Sequence, residues 1–290
     1  MLYKDIFIEI IKYLNCEDIK SIRLLNKEIK EIIDNIYFYN LYFDIITVEY
    51  NKNKIIKIYN VSSIEELNEY INIKYVEFNY YFDEPIDKLP QSITHLTFYQ
   101  FSNFNQSVDK LPQSITHLTF GELFNQSVDN LPQSITHLTF GSFFNQSVDN
   151  LPKSITHITF GDYFNQSVDK LPQSITHIEF SKYSKFNQSI DKLPQTITHL
   201  TFGYHFNQSI YKLLSQSVTH LTFGHDFNKS VDNLPQSITH LTFGYNFNQK
   251  IDFEKIPKLE ELTINKDSKY YKYRDKYIDT IPKKIRVIYL

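Results

Sequence analysis

The chain has 290 residues, of which 41% are hydrophobic and 16% aromatic, so it can bury the core of one large or two ordinary domains. Its formal net charge of -3 excludes the broad positive field that holds nucleic acid or an anionic membrane surface. Its single cysteine, Cys16, excludes an internal disulfide framework and a zinc site with two or more thiolates.

The N-terminal residues do not have the pattern of a signal peptide. Glu9 and Lys12 interrupt the apolar residues there, and no small-residue cleavage site follows. No uncharged stretch approaches the ~18 apolar residues that a membrane span needs. We therefore expect no membrane partner and an intracellular location, in the cytoplasm or nucleus, and in the host cell if the chain is viral.

Residues 1–46 carry apolar side chains at helical spacing and predict a small module of three short helices. Asn15 and Asp18 offer capping side chains between the first two helices, and the third is predicted over residues 27–36. Three short helices bury only a marginal core, so we expect the module to pack on the rest of the chain or on a partner.

The stretch from Leu2 to Lys27, LYKDIFIEIIKYLNCEDIKSIRLLNK, resembles an F-box, the module by which substrate receptors bind the adaptor of a cullin-type ubiquitin ligase. The resemblance implies adaptor contacts at seven apolar residues: Leu2, Ile6, Ile10, Leu14, Ile19, Ile22 and Leu24. Tyr3 stands where the family has proline, and the tryptophan often found in the third helix is missing. The alternative is that these helices only cap the segment that follows.

Residues 82–264 repeat with a period of 20 to 22 residues, which indicates a solenoid. The clearest units begin at the phenylalanines 104, 124, 144, 164, 186, 206, 227 and 247. Residues 72–78 and 278–290 echo the unit at its two ends. We therefore predict a linker with an N-terminal capping unit over residues 47–81 and a C-terminal capping unit over residues 265–290.

Within one unit, the stretch from Thr116 to Phe120 is β-branched and aromatic and predicts a short strand. Alternation sends Leu118 and Phe120 inward and leaves His117 on the exposed face. Gly121 is expected to supply a backbone that is free to turn, and the return segment to be irregular or 3₁₀. The predicted fold is an α+β solenoid, in which coils similar to leucine-rich repeats form one parallel β-sheet beside a small N-terminal helical module.

The repeated text F-N-Q-S-V/I-x-x-L-P-x-S-I-T-H-L-T-F-G resembles the FNIP repeats, which are leucine-rich-repeat-like. Proteins that combine an F-box with FNIP repeats occur in amoebae and in the large DNA viruses that infect them. One unit departs from the pattern over residues 210–218, where Leu214 replaces the proline and one residue is added, so we expect a bulge or kink there.

Two recurring sets of side chains are expected to hold the coils together. Phe104, Val108 and Leu111 recur with little change and predict a buried core. Asn105 and its equivalents directly follow the phenylalanine, where a stacked ladder of amides can satisfy backbone groups.

One histidine recurs in every unit and predicts a column on the exposed sheet face: His95, His117, His137, His157, His177, His199, His220 and His240. Adjacent pairs could chelate zinc or nickel, but the flanking column is almost entirely threonine and offers no further ligands. We therefore predict no metal and a column of mostly neutral rings, because cations ~5 Å apart repel by ~0.8 kcal/mol even in water.

Specificity for a target must lie where the repeats differ, which is the residue pair after the glycine, or after Ser181 in the coil that has serine there. These pairs are rich in aromatic side chains, which are common anchors at interfaces. The predicted target-binding residues are His117, His137, His157, His177, Phe143, Tyr163, Tyr183, Tyr204 and Tyr245. The alternative is that Leu123, Phe143 and Tyr163 merely pack over the edge of the coil.

Serine, histidine and aspartate recur in every unit without making one unit special, so no enzymatic activity and no cofactor are predicted. The two resemblances together imply a substrate receptor whose F-box binds the ligase adaptor and whose repeats bind an unknown target protein. The rival hypothesis is a protein-protein interaction solenoid unconnected to ubiquitin. In both cases the chain is expected to be a monomer outside its complex.

Overall fold

The computed structural model describes residues 47–50, 56–70, 72–211, 217–268 and 281–289. These residues form a single thirteen-stranded sheet whose strand order follows the chain. Its first two strands are antiparallel to each other, and every later neighbour is parallel. The strands are β1 Thr47–Tyr50, β2 Ile56–Val61, β3 Ile73–Phe78, β4 His95–Phe98, β5 His117–Thr119, β6 His137–Thr139, β7 His157–Phe160, β8 His177–Phe180, β9 His199–Thr201, β10 His220–Thr222, β11 His240–Phe243, β12 Glu261–Ile264 and β13 Arg286–Tyr289.

The strands are aligned so that like residues lie side by side. The histidine that begins each strand pairs with the histidine of the next, from His95 in β4 to His240 in β11. Tyr75 and Glu261 continue the same column at its two ends. The prediction of one parallel sheet with its histidines in a single file is therefore confirmed.

Apolar columns run across the strands and form one continuous core. Leu118 and Phe120 are almost completely buried, as are Val108 and Leu111 in the return segment. Phe120 stacks on Phe124 at a ring centroid distance of 3.7 Å. Burial of such side chains is worth roughly 1.5 to 3 kcal/mol each, so the core holds successive coils together.

An amide ladder connects the coils on the side where the chain turns into the return segment. The backbone N–H of Asn125 donates to Oδ1 of Asn105 at 2.9 Å, and Asn145 donates to Asn125 in the same way. The ladder continues through the later coils to Asn248. The predicted asparagine ladder is thus confirmed, and each rung satisfies a backbone donor that would otherwise need water.

The glycine after each strand is required by the close approach of neighbouring backbones. A Cβ added at Gly141 would lie 2.1 Å from the carbonyl oxygen of Gly121, and one at Gly161 would lie 2.0 Å from that of Gly141. None of the glycines has a positive φ. The expectation that Gly121 supplies freedom to turn is therefore wrong, because what it supplies is the absence of a side chain.

Two coils inside the array have a longer turn, and neither has glycine at this position, whereas the N-terminal coil has Asn79 there and keeps the short turn. Tyr99 stands at the glycine position of one, and its turn contains Ser102, which is fully buried and accepts the N–H of Phe104 at 3.2 Å. Ser181 and Ser184 have the same relationship in the other coil. Each of these two turns therefore combines two additional residues with a side chain at the glycine position.

The return segments are irregular turns, as predicted. Within the described residues, the one regular helical segment is a 3₁₀ helix, Ile64–Glu69, between β2 and β3. The predicted helical module, residues 1–46, lies outside the described residues, so the structure supports a parallel β-solenoid but not the α+β class. The kink expected near Leu214 also lies outside them, because residues 212–216 are not described.

Candidate interaction site

The histidine column is a stack of parallel imidazole rings on the sheet face opposite the core. Ring centroids of neighbouring histidines from His95 to His240 lie 4.1 to 4.3 Å apart, with interplanar angles of 10 to 14°. The side chains are half-buried, so the predicted column exists but is less exposed than expected. This group includes four predicted target-binding residues, His117, His137, His157 and His177.

Each histidine is held by the threonine that precedes it. Oγ1 of Thr136 lies 2.9 Å from Nδ1 of His137 and 3.2 Å from the carbonyl oxygen of Thr116 in the previous coil. The carbonyl oxygen can only accept, so the single hydroxyl hydrogen is directed there and Nδ1 of the ring donates to Oγ1. The arrangement favours the Nδ1–H tautomer and leaves Nε2 as the nitrogen that can take up a proton.

The environment of the column opposes protonation. Partial burial, reinforced by neighbouring histidines, lowers the pKa of His117, His137 and His199. The same causes lower the pKa of His177 to about 4. These four rings therefore stay mostly neutral near neutral pH, and they add little positive charge to the face.

The stacked geometry also argues against metal chelation by neighbouring histidines. An imidazole binds a metal in its own plane at roughly 2.0 to 2.1 Å, and two parallel rings stacked face to face direct their nitrogen lone pairs side by side. A metal in the plane of one ring is therefore out of the plane of the next. Within the described ranges, no group of three or more histidine, cysteine, aspartate or glutamate side chains is placed to hold a metal ion.

A groove of about 580 Å³ crosses the sheet from Glu77 in β3 to Ser181, directly after β8. It runs along the threonines that stand two residues after the column histidines. Its lining includes the carboxylates of Glu77, Glu122 and Asp162. Burial raises the pKa of Glu77, although a hydrogen bond from the Tyr75 hydroxyl lowers it in part. The groove is thus acidic and borders the histidine column.

The exit turns, defined as the residues between the glycine position and the next core phenylalanine, form the other border of the groove. In the 20-residue coils, the first residue of the pair lines the groove, as Glu122 does, while the second points outward, as Leu123 does. The predicted binding residues Phe143, Tyr163 and Tyr183 are 45%, 42% and 60% exposed. Phe143 and Tyr163 also stack on each other at 5.0 Å, so these two rings pack against each other while part of each stays exposed.

The other two predicted aromatic residues lie in a second groove of about 380 Å³ near the C-terminal end of the array. Tyr204 and Tyr245 stack on opposite sides of His225, at 4.2 and 5.1 Å, and both are half-buried. They therefore form a three-ring stack rather than isolated exposed anchors.

A polar cluster beside this stack was not singled out from the sequence. Asp226 accepts from Nδ1 of His225 at 2.7 Å and lies 3.0 Å from Nδ1 of His205. Burial alone would raise the pKa of Asp226, but the hydrogen bonds from the two histidines outweigh it and lower the pKa. His205 lies in the exit turn of one coil, and His225 and Asp226 lie in the exit turn of the next. Only the distance between these two coils shows that both histidines contact the carboxylate of Asp226.

The seven predicted adaptor-binding residues, from Leu2 to Leu24, lie outside the described residues, so their arrangement stays a prediction. Within the part of the chain that the structure describes, no helix is long and apolar enough to cross a membrane.

Comparison with protein families finds one matching model, described as FNIP Repeat. It matches residues 71–101, 104–143, 144–183, 186–213 and 227–267. These segments contain the acidic groove, most exit turns and every histidine of the column except His220. No curated protein matches the chain.

Solved structures also resemble the array. The crystal structure of CroV588, described as a novel circular LRR protein structure, aligns with a TM-score of 0.62 and 34% sequence identity, over 77% of this chain and 38% of that one. The functional domain of InlJ from Listeria monocytogenes, described as including a cysteine ladder, aligns with a TM-score of 0.50 and 12% identity, over 68% of this chain and 43% of that one. The chain therefore spans less than half the length of either structure, and the second shows likeness of fold alone.

Proposed function

This chain belongs to the FNIP repeat family, and from that premise we propose that its repeats bind a protein partner across the histidine column, the acidic groove and the exit turns. One observation carries the proposal. Side chains at most positions of the unit are nearly identical in every coil and build the fold, whereas the exit-turn pairs differ from coil to coil and remain accessible on an ordered edge. Variation on a rigid scaffold is what selective binding requires.

We further propose that the chain is a substrate receptor of a ubiquitin ligase. The support is the sequence resemblance of residues 2–27 to an F-box and the presence of a separate repeat array that can hold a target. In this role the N-terminal residues bind the ligase adaptor and the repeats present the bound protein for ubiquitin transfer. The chain performs no chemistry itself.

A pull-down with the purified adaptor tests the receptor role. We expect the full chain to bind the adaptor, and the double substitution Ile10→Asp with Leu14→Asp to abolish binding, because both residues belong to the predicted adaptor-binding set. Lys12→Glu is the matched control, since it changes charge in the same segment outside that set. If the unmodified chain does not bind while an authentic F-box protein does, the alternative of an interaction solenoid unconnected to ubiquitin is favoured.

A further inference from the structure

Exposed apolar side chains are concentrated on one edge of the array. Of the nine large hydrophobic residues that are exposed within the described ranges, seven lie in exit turns of successive coils. They are Tyr80, Tyr81, Phe101, Leu123, Phe143, Tyr163 and Tyr183. Contiguous apolar surface of this kind on an otherwise polar protein marks an interaction site.

The fold does not require apolar residues at these positions. In the later 20- and 21-residue coils, the position of Leu123, Phe143 and Tyr163 is occupied by His205 and then by Asp226. There the two side chains hydrogen-bond to each other, so the same edge of the array accommodates polar residues. A polar edge is therefore compatible with the backbone, and the apolar edge of the earlier coils needs an explanation other than stability of the coil.

Five of these seven residues lie within or between the two longer turns. Phe101 and Tyr183 lie in the two longer turns, and Leu123, Phe143 and Tyr163 lie in the three shorter turns between them. We call these five residues the apolar stripe. The coils concerned run from β4 to β8, which are four strand-to-strand steps. At about 4.8 Å per step this is roughly 19 Å, the length of about six residues of extended chain.

The surface directly beside the stripe is acidic. Glu122 and Asp162 line the groove and immediately precede Leu123 and Tyr163 in the chain. Glu122 accepts from the amide of Gln100 and Asp162 accepts from the hydroxyl of Ser181. Among the described residues that line this groove there is no lysine or arginine to pair with these carboxylates.

The boundary of the stripe shows how a cation meets these aromatic rings. Nζ of Lys185, in the second long turn, lies 4.0 Å from the ring centroid of Tyr163. Such a contact is attractive because the face of the ring is negative.

We propose that the apolar stripe and the acidic groove together bind an extended segment of the partner protein in which lysine or arginine alternates with aliphatic or aromatic residues. Side chains alternate in direction along an extended segment, so one set contacts the stripe while the other reaches the carboxylates. This proposal rests on the proposed function of the repeats as a protein-binding array, and adds to it the chemistry of the bound segment.

Two fluorescent peptides of the same length and with the same leucine and phenylalanine residues test the proposal, one with lysine and the other with glutamate at the alternating positions. Binding to the full chain is measured by fluorescence anisotropy at low and high salt. We expect the lysine peptide to bind, the glutamate peptide to bind at least about tenfold more weakly, and salt to weaken the first complex.

Two double variants and their matched controls locate the site. Phe143→Ser with Tyr163→Ser is expected to weaken lysine-peptide binding at least about tenfold, because it removes two apolar contacts. Glu122→Gln with Asp162→Asn is expected to weaken it several-fold and to reduce its salt dependence. The controls are Tyr211→Ser and Glu254→Gln, which change an exposed aromatic residue and an exposed carboxylate elsewhere and should bind like the native chain.

Three outcomes overturn the proposal: equal binding of both peptides, no binding of the lysine peptide by the native chain, or unchanged binding by both site variants. Circular dichroism of each variant verifies that the fold is retained, as expected for substitutions of exposed or half-buried side chains.

Failure of this proposal is distinguishable from failure of the proposed function of the repeats. If proximity labelling identifies a partner that crosslinks to the repeats through other residues, the array still binds protein while the site proposed here is wrong.

Discussion

The threonine and histidine that begin each strand act together, because the threonine hydroxyl fixes the imidazole and the next coil stacks a second imidazole on it. Thr156 and His157 repeat the arrangement of Thr136 and His137 with the same 2.9 Å separation. Adding a proton to each ring would place positive charges about 4 Å apart, where even in bulk water they repel by about 1 kcal/mol. The column is therefore stable as long as most of its rings are neutral.

From this arrangement we predict that mild acid destabilises the array. Unfolded histidines take up protons near pH 6.5, whereas in the folded chain the pKa of several column histidines is lower, and that of His177 is about 4. The unfolded state therefore binds more protons as the pH falls from about 6.5 towards 4, and stability decreases over this window. The urea midpoint of unfolding should be lower at about pH 5 than at neutral pH.

A variant without titrating rings in the centre of the column is the control for this experiment. His137→Asn, His157→Asn and His177→Asn together keep an amide near the threonine hydroxyl but cannot be protonated. The pH dependence of the midpoint should be smaller in this variant. An equal dependence in both proteins would mean that groups outside the column cause it, and a native midpoint that does not change with pH would contradict the prediction.

At the scale of the coil, the exit turn and the glycine depend on each other. Coils with glycine have a short turn and approach the preceding backbone closely, and the coils that begin their turns at Tyr99 and Ser181 are two residues longer. Gly141→Ala should therefore destabilise the protein by about 1 to 3 kcal/mol, because the added Cβ overlaps the carbonyl of Gly121. Urea denaturation measures the difference, with Ser142→Ala, at the adjacent half-buried position, as the nearly neutral control.

The same relationship predicts how that damage is repaired. Residues 181–185 form a longer turn in which the fold already accommodates a side chain, Ser181, at the glycine position, so they are grafted in place of residues 141–143. We expect this graft to be more stable than Gly141→Ala in the same urea assay. A graft as unstable as the single substitution would show that turn length does not relieve the contact.

At the scale of the whole molecule, each coil contacts mainly its two neighbours, so the array should tolerate the loss of a complete coil. Deletion of residues 144–163 joins Phe143 to Phe164 and preserves every column. We predict a folded protein with a denaturant m-value lower by roughly a tenth, because less surface is exposed on unfolding.

Deletion of only residues 144–153 is the matched test of register. It removes half a coil and brings core positions opposite turn positions, so this protein should lose its cooperative unfolding transition. If both deletions behave alike, the alignment of like residues between coils is less important than the structure indicates.

The sequence alone determined the period, the strands, the inward columns, the asparagine ladder and the file of histidines. This was possible because every coil has copies of itself as neighbours, so a pattern along the chain is also the pattern of contacts between coils. The tertiary structure decided what depends on distances between coils: the close approach that makes Gly141 necessary, the side of the turn on which Glu122 and Leu123 lie, and the carboxylate that His205 and His225 share. The first of these is a distance between coils of equal length, which the repeat pattern does not state. The shared carboxylate arises where successive coils differ in composition, and there the position of a residue in the repeat no longer fixes what it touches.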